Sequence, residues 1–389
     1  VDYQERPTGR ARKEKTMSRL KELHKQGQSF WLDNLGRGLL RSGALARLVK
    51  EDGARGVTSN PAIFEKSIGG SSDYADALRQ LAPKAPDAKW LYEQLAVRDI
   101  QDAADVLRPV YDASGGQDGF VSLEVSPALA HDLKGSLEEA RRLAKDVGKP
   151  NLLIKIPATA EGISAIEQLV GEGMNINVTL LFALDAYEKV ALAYIAGLEK
   201  YAAAGGDLKR SAGVASFFVS RVDAAVDAQL QERIAAATGP RQEALRKLLG
   251  KAAIANAKLA YKRYQELFAG ERWQALVAKG ACTQRVLWAS TGMKNPAYRD
   301  VAYVEELVGP DTVNTMPPAT ADAFRDHGVA EPRLTLGVDE AAATLKALEG
   351  AGISMRQVTD QLLGDGVQLF IDAFEKLLAA TEKARAAAR

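Results

Sequence analysis

Cysteine is almost absent from this chain. There is one, Cys282, so no internal disulfide can form, and a reducing, cytoplasmic setting is expected. Cys282 stands at the start of an apparent strand and reads as a small core residue. Histidine is nearly as scarce. His24, His131 and His327 are dispersed without ligand spacing, which argues against a zinc site and leaves acid–base work to carboxylates, lysine and hydroxyls. An excess of charge of one sign is also missing. Lys plus Arg number 51 against 50 Asp plus Glu, a net charge of +1, so nothing in the balance attracts nucleic acid or an anionic membrane. No apolar stretch approaches the ~18–20 residues of a membrane span. The polar N-terminus has no apolar segment of the signal-peptide kind, so no signal peptide is expected. Residues 1–16 offer little to bury and are read as a disordered leader ahead of Met17. The triplet Asn177-Val-Thr179 fits a glycosylation sequon, but it lies inside an apolar run and is set aside.

What the chain does have is alternation. Hydrophobic residues make up 47 % and charged residues 26 % of its 389 positions, which is the composition of a globular protein large enough for one α/β barrel or two ordinary domains. Short apolar runs at 29–35, 54–59, 120–126, 152–157, 176–182, 213–219, 285–290 and 312–316 are each followed by segments of helical period. In the helix expected over 162–172, Ile163, Ile166, Leu169 and Val170 share one face. Strand–helix alternation implies a parallel sheet. Eight such units favour a single closed (β/α)8 barrel of the TIM type, with extra helices, over an open doubly wound sheet. The open sheet would show a glycine-rich dinucleotide loop after its first strand, and none is present. The rhythm breaks at 61–118 and 222–280, read as helical inserts within one unit spanning 17–389. Gly115-Gly-Gln-Asp-Gly119 reads as a turn before the third strand. The tail from Asp339 is expected to form two or three helices, with Gly364-Asp-Gly366 separating the last two.

The chemistry concentrates in the strands. Lys155 interrupts the run Asn151-Leu-Leu-Ile-Lys-Ile-Pro157, a buried parallel strand by its pattern. Burial disfavours the charged form of an amine, and a neutral amine is a nucleophile toward carbonyls whose usual product is a Schiff base. A lone lysine would more often snorkel to water or pair with a carboxylate. Glu124, in Val121-Ser-Leu-Glu-Val-Ser126, lies 31 residues before it, about one βαβ unit. Equal heights on neighbouring strands would set the two side by side, as a structural ion pair or as nucleophile and acid–base. Barrel enzymes carry their functional groups at the C-terminal ends of strands. Asp33, Thr58, Asn60, Asn177, Thr179, Ser216, Arg221, Ser290, Thr291 and Lys294 all stand at such ends, more polar groups than a fold needs inside. Arg221 and Lys294, with Ser290 and Thr291, suit a phosphate dianion.

The strings Thr58-Ser-Asn-Pro61, Val121-Ser-Leu-Glu-Val125, Leu153-Ile-Lys-Ile-Pro157, Asn177-Val-Thr-Leu-Leu-Phe182 and Ser216-Phe-Phe-Val-Ser-Arg221 resemble transaldolase in order and spacing, from about residue 18 to about 380. The resemblance implies a Schiff-base enzyme of the non-oxidative pentose phosphate pathway. It would move a dihydroxyacetone unit from sedoheptulose 7-phosphate to glyceraldehyde 3-phosphate, with no metal or organic cofactor, as a monomer or homodimer. It implies Lys155 as nucleophile, Glu124 and Thr179 as proton relay and Asp33 as the base of C–C cleavage. Asn60 and Asn177 would hold sugar hydroxyls and Ser216 the C1 end, with Thr58 and Phe218 also binding substrate, and Arg221, Lys294 and Ser290 the phosphate. Lys294 departs from the arginine common in the family, and the inserts exceed those of its shorter members. The superfamily's fructose 6-phosphate aldolases, which release dihydroxyacetone, carry a tyrosine where Phe218 stands. A phenylalanine cannot donate that proton, which favours transfer. The remaining alternative is a sugar-phosphate-binding barrel without catalysis.

Overall fold

The computed structural model describes residues 18–387. The N-terminal segment 1–16 lies outside them. Eight parallel strands close into a barrel in chain order: β1 (Gln28–Asp33), β2 (Gly56–Thr58), β3 (Phe120–Glu124), β4 (Leu152–Pro157), β5 (Ile176–Leu181), β6 (Gly213–Phe218), β7 (Gln284–Ala289) and β8 (Thr312–Met316). β1 and β8 pair in parallel and seal it, Gln28 opposite Thr312 and Leu32 opposite Met316. Every residue of β4, β5 and β6 is buried, because one face of each strand fills the barrel and the other packs under helices. That is why the strands read as unbroken apolar runs. No helix among the described residues is long and apolar enough to cross a membrane.

Helix starts are set by capping side chains. Asp132 accepts from the Gly135 amide ahead of helix Leu133–Val147, and Thr159 from the Gly162 amide ahead of helix Ala160–Gly171, each satisfying an orphan donor of the first turn. On the latter helix Ile166, Leu169 and Val170 are buried. Before β3, Gly115, Gly116 and Gly119 take φ of 66°, 83° and 81°, the left-handed backbone a tight turn needs. The insert over 61–118 contains helices Pro61–Gly69, Ala75–Leu81 and the long Ala88–Ala113. That over 222–280 belongs to helices Ser220–Ala236, Gly239–Arg246, Ala252–Leu267 and Glu271–Val277.

Two expectations are corrected. Gly364 and Gly366 do not separate helices: one helix runs unbroken from Met355 to Ala387. Tertiary contact overrides the local cost of glycine here. A Cβ on Gly366 would stand 2.9 Å from Leu180 Cδ2, so the glycine lets this helix lie close on the barrel's mouth. Cys282 is half-buried in the loop before β7 rather than in a strand, and burial pushes its thiol pKa up. At the opposite end of the barrel, Asp118 accepts hydrogen bonds from Ser29 Oγ, from Trp31 Nε1 at 2.8 Å and from Arg55 Nε at 2.8 Å. This polar cluster lies at the end that barrel enzymes reserve for stability.

Candidate active site

The strand register sets the site's central row. Glu124 on β3 stands opposite Lys155 on β4, and Lys155 opposite Asn177 on β5. Lys155 is 5 % exposed. Its Nζ donates to Glu124 Oε2 at 2.9 Å and to the Ser59 carbonyl at 3.2 Å, and the Phe370 ring centroid lies 5.5 Å away. Burial raises the Glu124 pKa, the Lys155 charge and hydrogen bond opposing it. The pair expected from spacing is therefore present, and its carboxylate is held in surroundings that favour taking up a proton.

Across the mouth, Asp33 on β1 faces Thr58 on β2. Thr58 Oγ1 donates to Asp33 Oδ1 at 2.7 Å and meets Thr315 Oγ1, also at 2.7 Å. Asp33 keeps some solvent contact through the cavity, yet the protein packed around it raises its pKa, while the Thr58 hydrogen bond, Lys155 and Lys294 pull it down.

Lys155, Asp33 and Thr58 line an open cavity of about 620 Å³ at the C-terminal end of the strands. Of the residues singled out in the sequence, Asp33, Thr58, Asn60, Lys155, Thr179, Ser216, Phe218, Arg221, Ser290 and Lys294 line it. Thr179 Oγ1 is buried without a protein partner, leaving it able to bond substrate or water. Asn60 also caps helix Pro61–Gly69, its Oδ1 accepting from the Ile63 amide at 3.0 Å. Arg221 opens helix Ser220–Ala236 with its guanidinium 5.6 Å from the Phe218 ring centroid. Burial lowers its pKa, and it makes no ion pair among the described residues. Such a guanidinium stays charged, so it is a partly desolvated cation without an anion. Ser290 takes φ of 58° at the end of β7, and its Oγ lies 2.8 Å from Ser220 Oγ. Lys294 is exposed at the rim.

Three residues sit elsewhere than on this wall. Glu124 lies behind Lys155, against a smaller cavity lined by Tyr92, Glu139 and Phe374. Asn177 is fully buried beneath the floor, with Nδ2 donating to Ser122 Oγ at 2.9 Å and Oδ1 accepting from Ser216 Oγ at 2.7 Å. It reaches the cavity through Ser216, not directly. Thr291 turns inward as well, its hydroxyl donating to Asn314 Oδ1 at 2.9 Å. The sequence reading missed Thr315 and Phe370 on the wall. Thr315 carried the same signal as the others, a polar residue in a buried strand. Phe370 carried none, because a phenylalanine on a helix reads as core. Among the described residues no cluster of His, Cys, Asp and Glu has the grouping to hold a metal.

Fold and site together define a (β/α)8 barrel with a buried lysine, two carboxyl groups and unpaired cations converging on one mouth. Residues 30–381 match the sequence model of the transaldolase/fructose-6-phosphate aldolase family, and the chain belongs to that family. It is 50 % identical over 363 residues to the transaldolase of Thiobacillus denitrificans, covering 93 % of this chain and 99 % of that protein. It is 47 % identical over 368 residues to transaldolase 2 of Nostoc punctiforme, with 93 % and 96 % covered. Transaldolase 1 of Streptomyces coelicolor is 49 % identical over 369 residues, 95 % of each chain.

Proposed function

We propose that this chain is a transferase that moves a dihydroxyacetone unit from a ketose phosphate to an aldose phosphate through a Schiff base on Lys155. The donor would be sedoheptulose 7-phosphate and the acceptor glyceraldehyde 3-phosphate, giving erythrose 4-phosphate and fructose 6-phosphate. The observation that carries this reading is the 2.9 Å contact of Lys155 Nζ with Glu124 beside a cavity that also holds Asp33.

A proton passes from the Lys155 ammonium to Glu124, whose carboxyl burial makes more basic. The amine adds to the C2 ketone. Glu124 then returns a proton to the departing carbinolamine oxygen, with the unpartnered Thr179 hydroxyl and a bound water completing the relay. Asp33 takes the proton of the C4 hydroxyl. The C3–C4 bond breaks, its electron pair moves into the iminium to form an enamine, and the aldose phosphate leaves. The acceptor aldehyde enters, and the same steps run in reverse. Thr58 holds Asp33 in place, Asn60 and Ser216 contact sugar hydroxyls, and Asn177 orients Ser216. Arg221, Lys294 and Ser290 bind the phosphate, which the unpaired Arg221 guanidinium favours.

A fructose 6-phosphate aldolase activity that releases dihydroxyacetone is the second reading. Phe218 on the cavity wall offers no phenol to protonate the enamine, which favours transfer. Borohydride reduction in the presence of fructose 6-phosphate, followed by peptide mass spectrometry, tests the proposal. One reduced adduct is expected, on Lys155, and none in Lys155→Ala. An adduct on Lys294 or Lys134 instead would sink the assignment.

A further inference from the structure

The terminal helix Met355–Ala387 lays one stripe of residues across the mouth. Gly366, Phe370 and Phe374 follow at intervals of four and therefore share a face. Gly366 rests on Leu180 at the irregularity of β5, where Leu180 has φ of 58°. Phe370 comes next, with its ring centroid 5.5 Å from Lys155 Nζ on β4. Phe374 lies over β3, its ring centroid 5.5 Å from that of Tyr92, in the small cavity behind Glu124. Four residues advance a helix about 6 Å, and neighbouring strands are about 4.8 Å apart, so each step of the stripe meets the next strand.

Phe370 is 6 % exposed and forms part of the cavity wall. Most of the wall around Lys155 is polar: Asp33, Thr58, Asn60, Thr179 and Ser216. The other aromatic group of the wall, Phe218, packs against Phe182 and lies beneath Arg221. Phe370 thus offers the lysine nitrogen an aromatic face that can hold no water.

We infer that Phe370 is a specificity-determining residue: by capping the lysine adduct it keeps water from C3 of the enamine and directs it to transfer. This rests on the Schiff-base reading above. After the first aldose phosphate leaves, two fates compete. In transfer, enamine C3 attacks the acceptor aldehyde carbon, a C–C bond forms, and the aldehyde oxygen takes the proton from Asp33. In release, C3 takes a proton from water, the hydroxide adds to C2 of the resulting iminium, and the Lys155–C2 bond breaks as the nitrogen takes the hydroxyl proton, freeing dihydroxyacetone and the amine. Transfer too ends with water at C2, when the product iminium is hydrolysed, so the two fates part at C3: only release needs a proton delivered there, next to the carbon bonded to the nitrogen that Phe370 covers. An aromatic face also suits the iminium, which carries its charge with fewer N–H donors than the ammonium. The lysine and its acid lie on strands, but the cap is supplied by the chain's last helix.

The experiment compares wild type, Phe370→Leu and Phe370→Ala with fructose 6-phosphate as donor, with and without erythrose 4-phosphate as acceptor. Sedoheptulose 7-phosphate formation measures transfer, free dihydroxyacetone measures release, and borohydride trapping confirms the donor adduct. With the adduct still forming, Phe370→Ala should lower the transfer-to-release ratio about tenfold or more, since an opened site admits water. Phe370→Leu keeps an apolar cap and should lose less. An unchanged ratio in Phe370→Ala overturns the inference. If that variant does not fold, an unchanged ratio in a folded Phe370→Leu overturns it equally. A wild type that neither traps nor transfers refutes the Schiff-base reading itself and takes this inference with it. A wild type that transfers while the variants keep its ratio refutes only the role of Phe370.

Discussion

Replacing Lys155 by methionine should make the protein's stability more sensitive to pH. The side chains of Lys155 and Glu124 are 6 % and 5 % exposed, and their charges meet at 2.9 Å. Methionine keeps most of the aliphatic stem and removes the ammonium, leaving a carboxylate buried without a cation. Breaking a buried pair in this way costs about 3–5 kcal/mol. Glu124 can reduce that cost by taking a proton, because burial already raises its pKa and Lys155 is what opposes the rise. The sign follows from linkage. A carboxyl whose folded pKa lies above its ordinary value near 4.5 contributes stability that is present below that value and lost as pH rises through the folded pKa. Within that window the loss is up to about 1.4 kcal/mol per pH unit. In the wild type the ammonium offsets part of it, so the gap between the two proteins should be small at pH 5 and widen toward pH 8. Urea denaturation of wild type, Lys155→Met and Lys155→Met/Glu124→Leu at several pH values measures this. The double variant should recover most of the loss at pH 8, since an apolar replacement of a buried pair is often neutral or stabilising. A gap equal at pH 5 and pH 8, or a double variant no more stable than the single one, would refute the reasoning.

Other consequences can be checked directly. Asp33→Asn should still form the borohydride adduct with fructose 6-phosphate, while transfer falls by ~10²–10⁴-fold, the usual contribution of a positioned base; loss of the adduct itself would remove Asp33 from the cleavage step. Arg221→Ala should raise KM for fructose 6-phosphate and leave unphosphorylated fructose, a poor substrate, almost unaffected; a full retained preference for the phosphorylated sugar would make Arg221 a mere solvated charge. Asp223 accepts from the Ala253 amide and the Tyr303 hydroxyl, both at 2.8 Å, and burial raises its pKa to about 6. Its stabilising contribution is therefore present below the ordinary value of 3.8 and lost as pH rises through about 6, so relative to Asp223→Asn the wild type should lose about 2.4 kcal/mol between pH 4 and pH 7. A pH-independent difference between the two in the same denaturation assay would count against that burial effect.

The barrel and most of its site were legible in the sequence for a local reason. A strand of a closed parallel sheet is buried on both faces, so each one appears as an apolar run, and any polar residue inside it stands out. Lys155, Glu124, Asp33 and Thr179 were conspicuous on that ground. The fixed register of adjacent parallel strands then turned a 31-residue spacing into the Glu124–Lys155 contact. Tertiary structure decided what lies between distant segments. Asn177, the second residue of β5, and Thr291, just beyond β7, look in the sequence like the other polar residues, yet both are turned into the protein by partners, Ser122 and Asn314, that no spacing rule indicates. Gly364 and Gly366 look like a helix break because glycine disfavours a helix locally, whereas the close approach of Gly366 to Leu180 makes a side chain there the greater obstacle. Phe370 shows the limit most clearly. A phenylalanine on a helical face has the same pattern whether it fills a core or caps a reactive amine, and only the path of the last helix across the mouth sets it over Lys155.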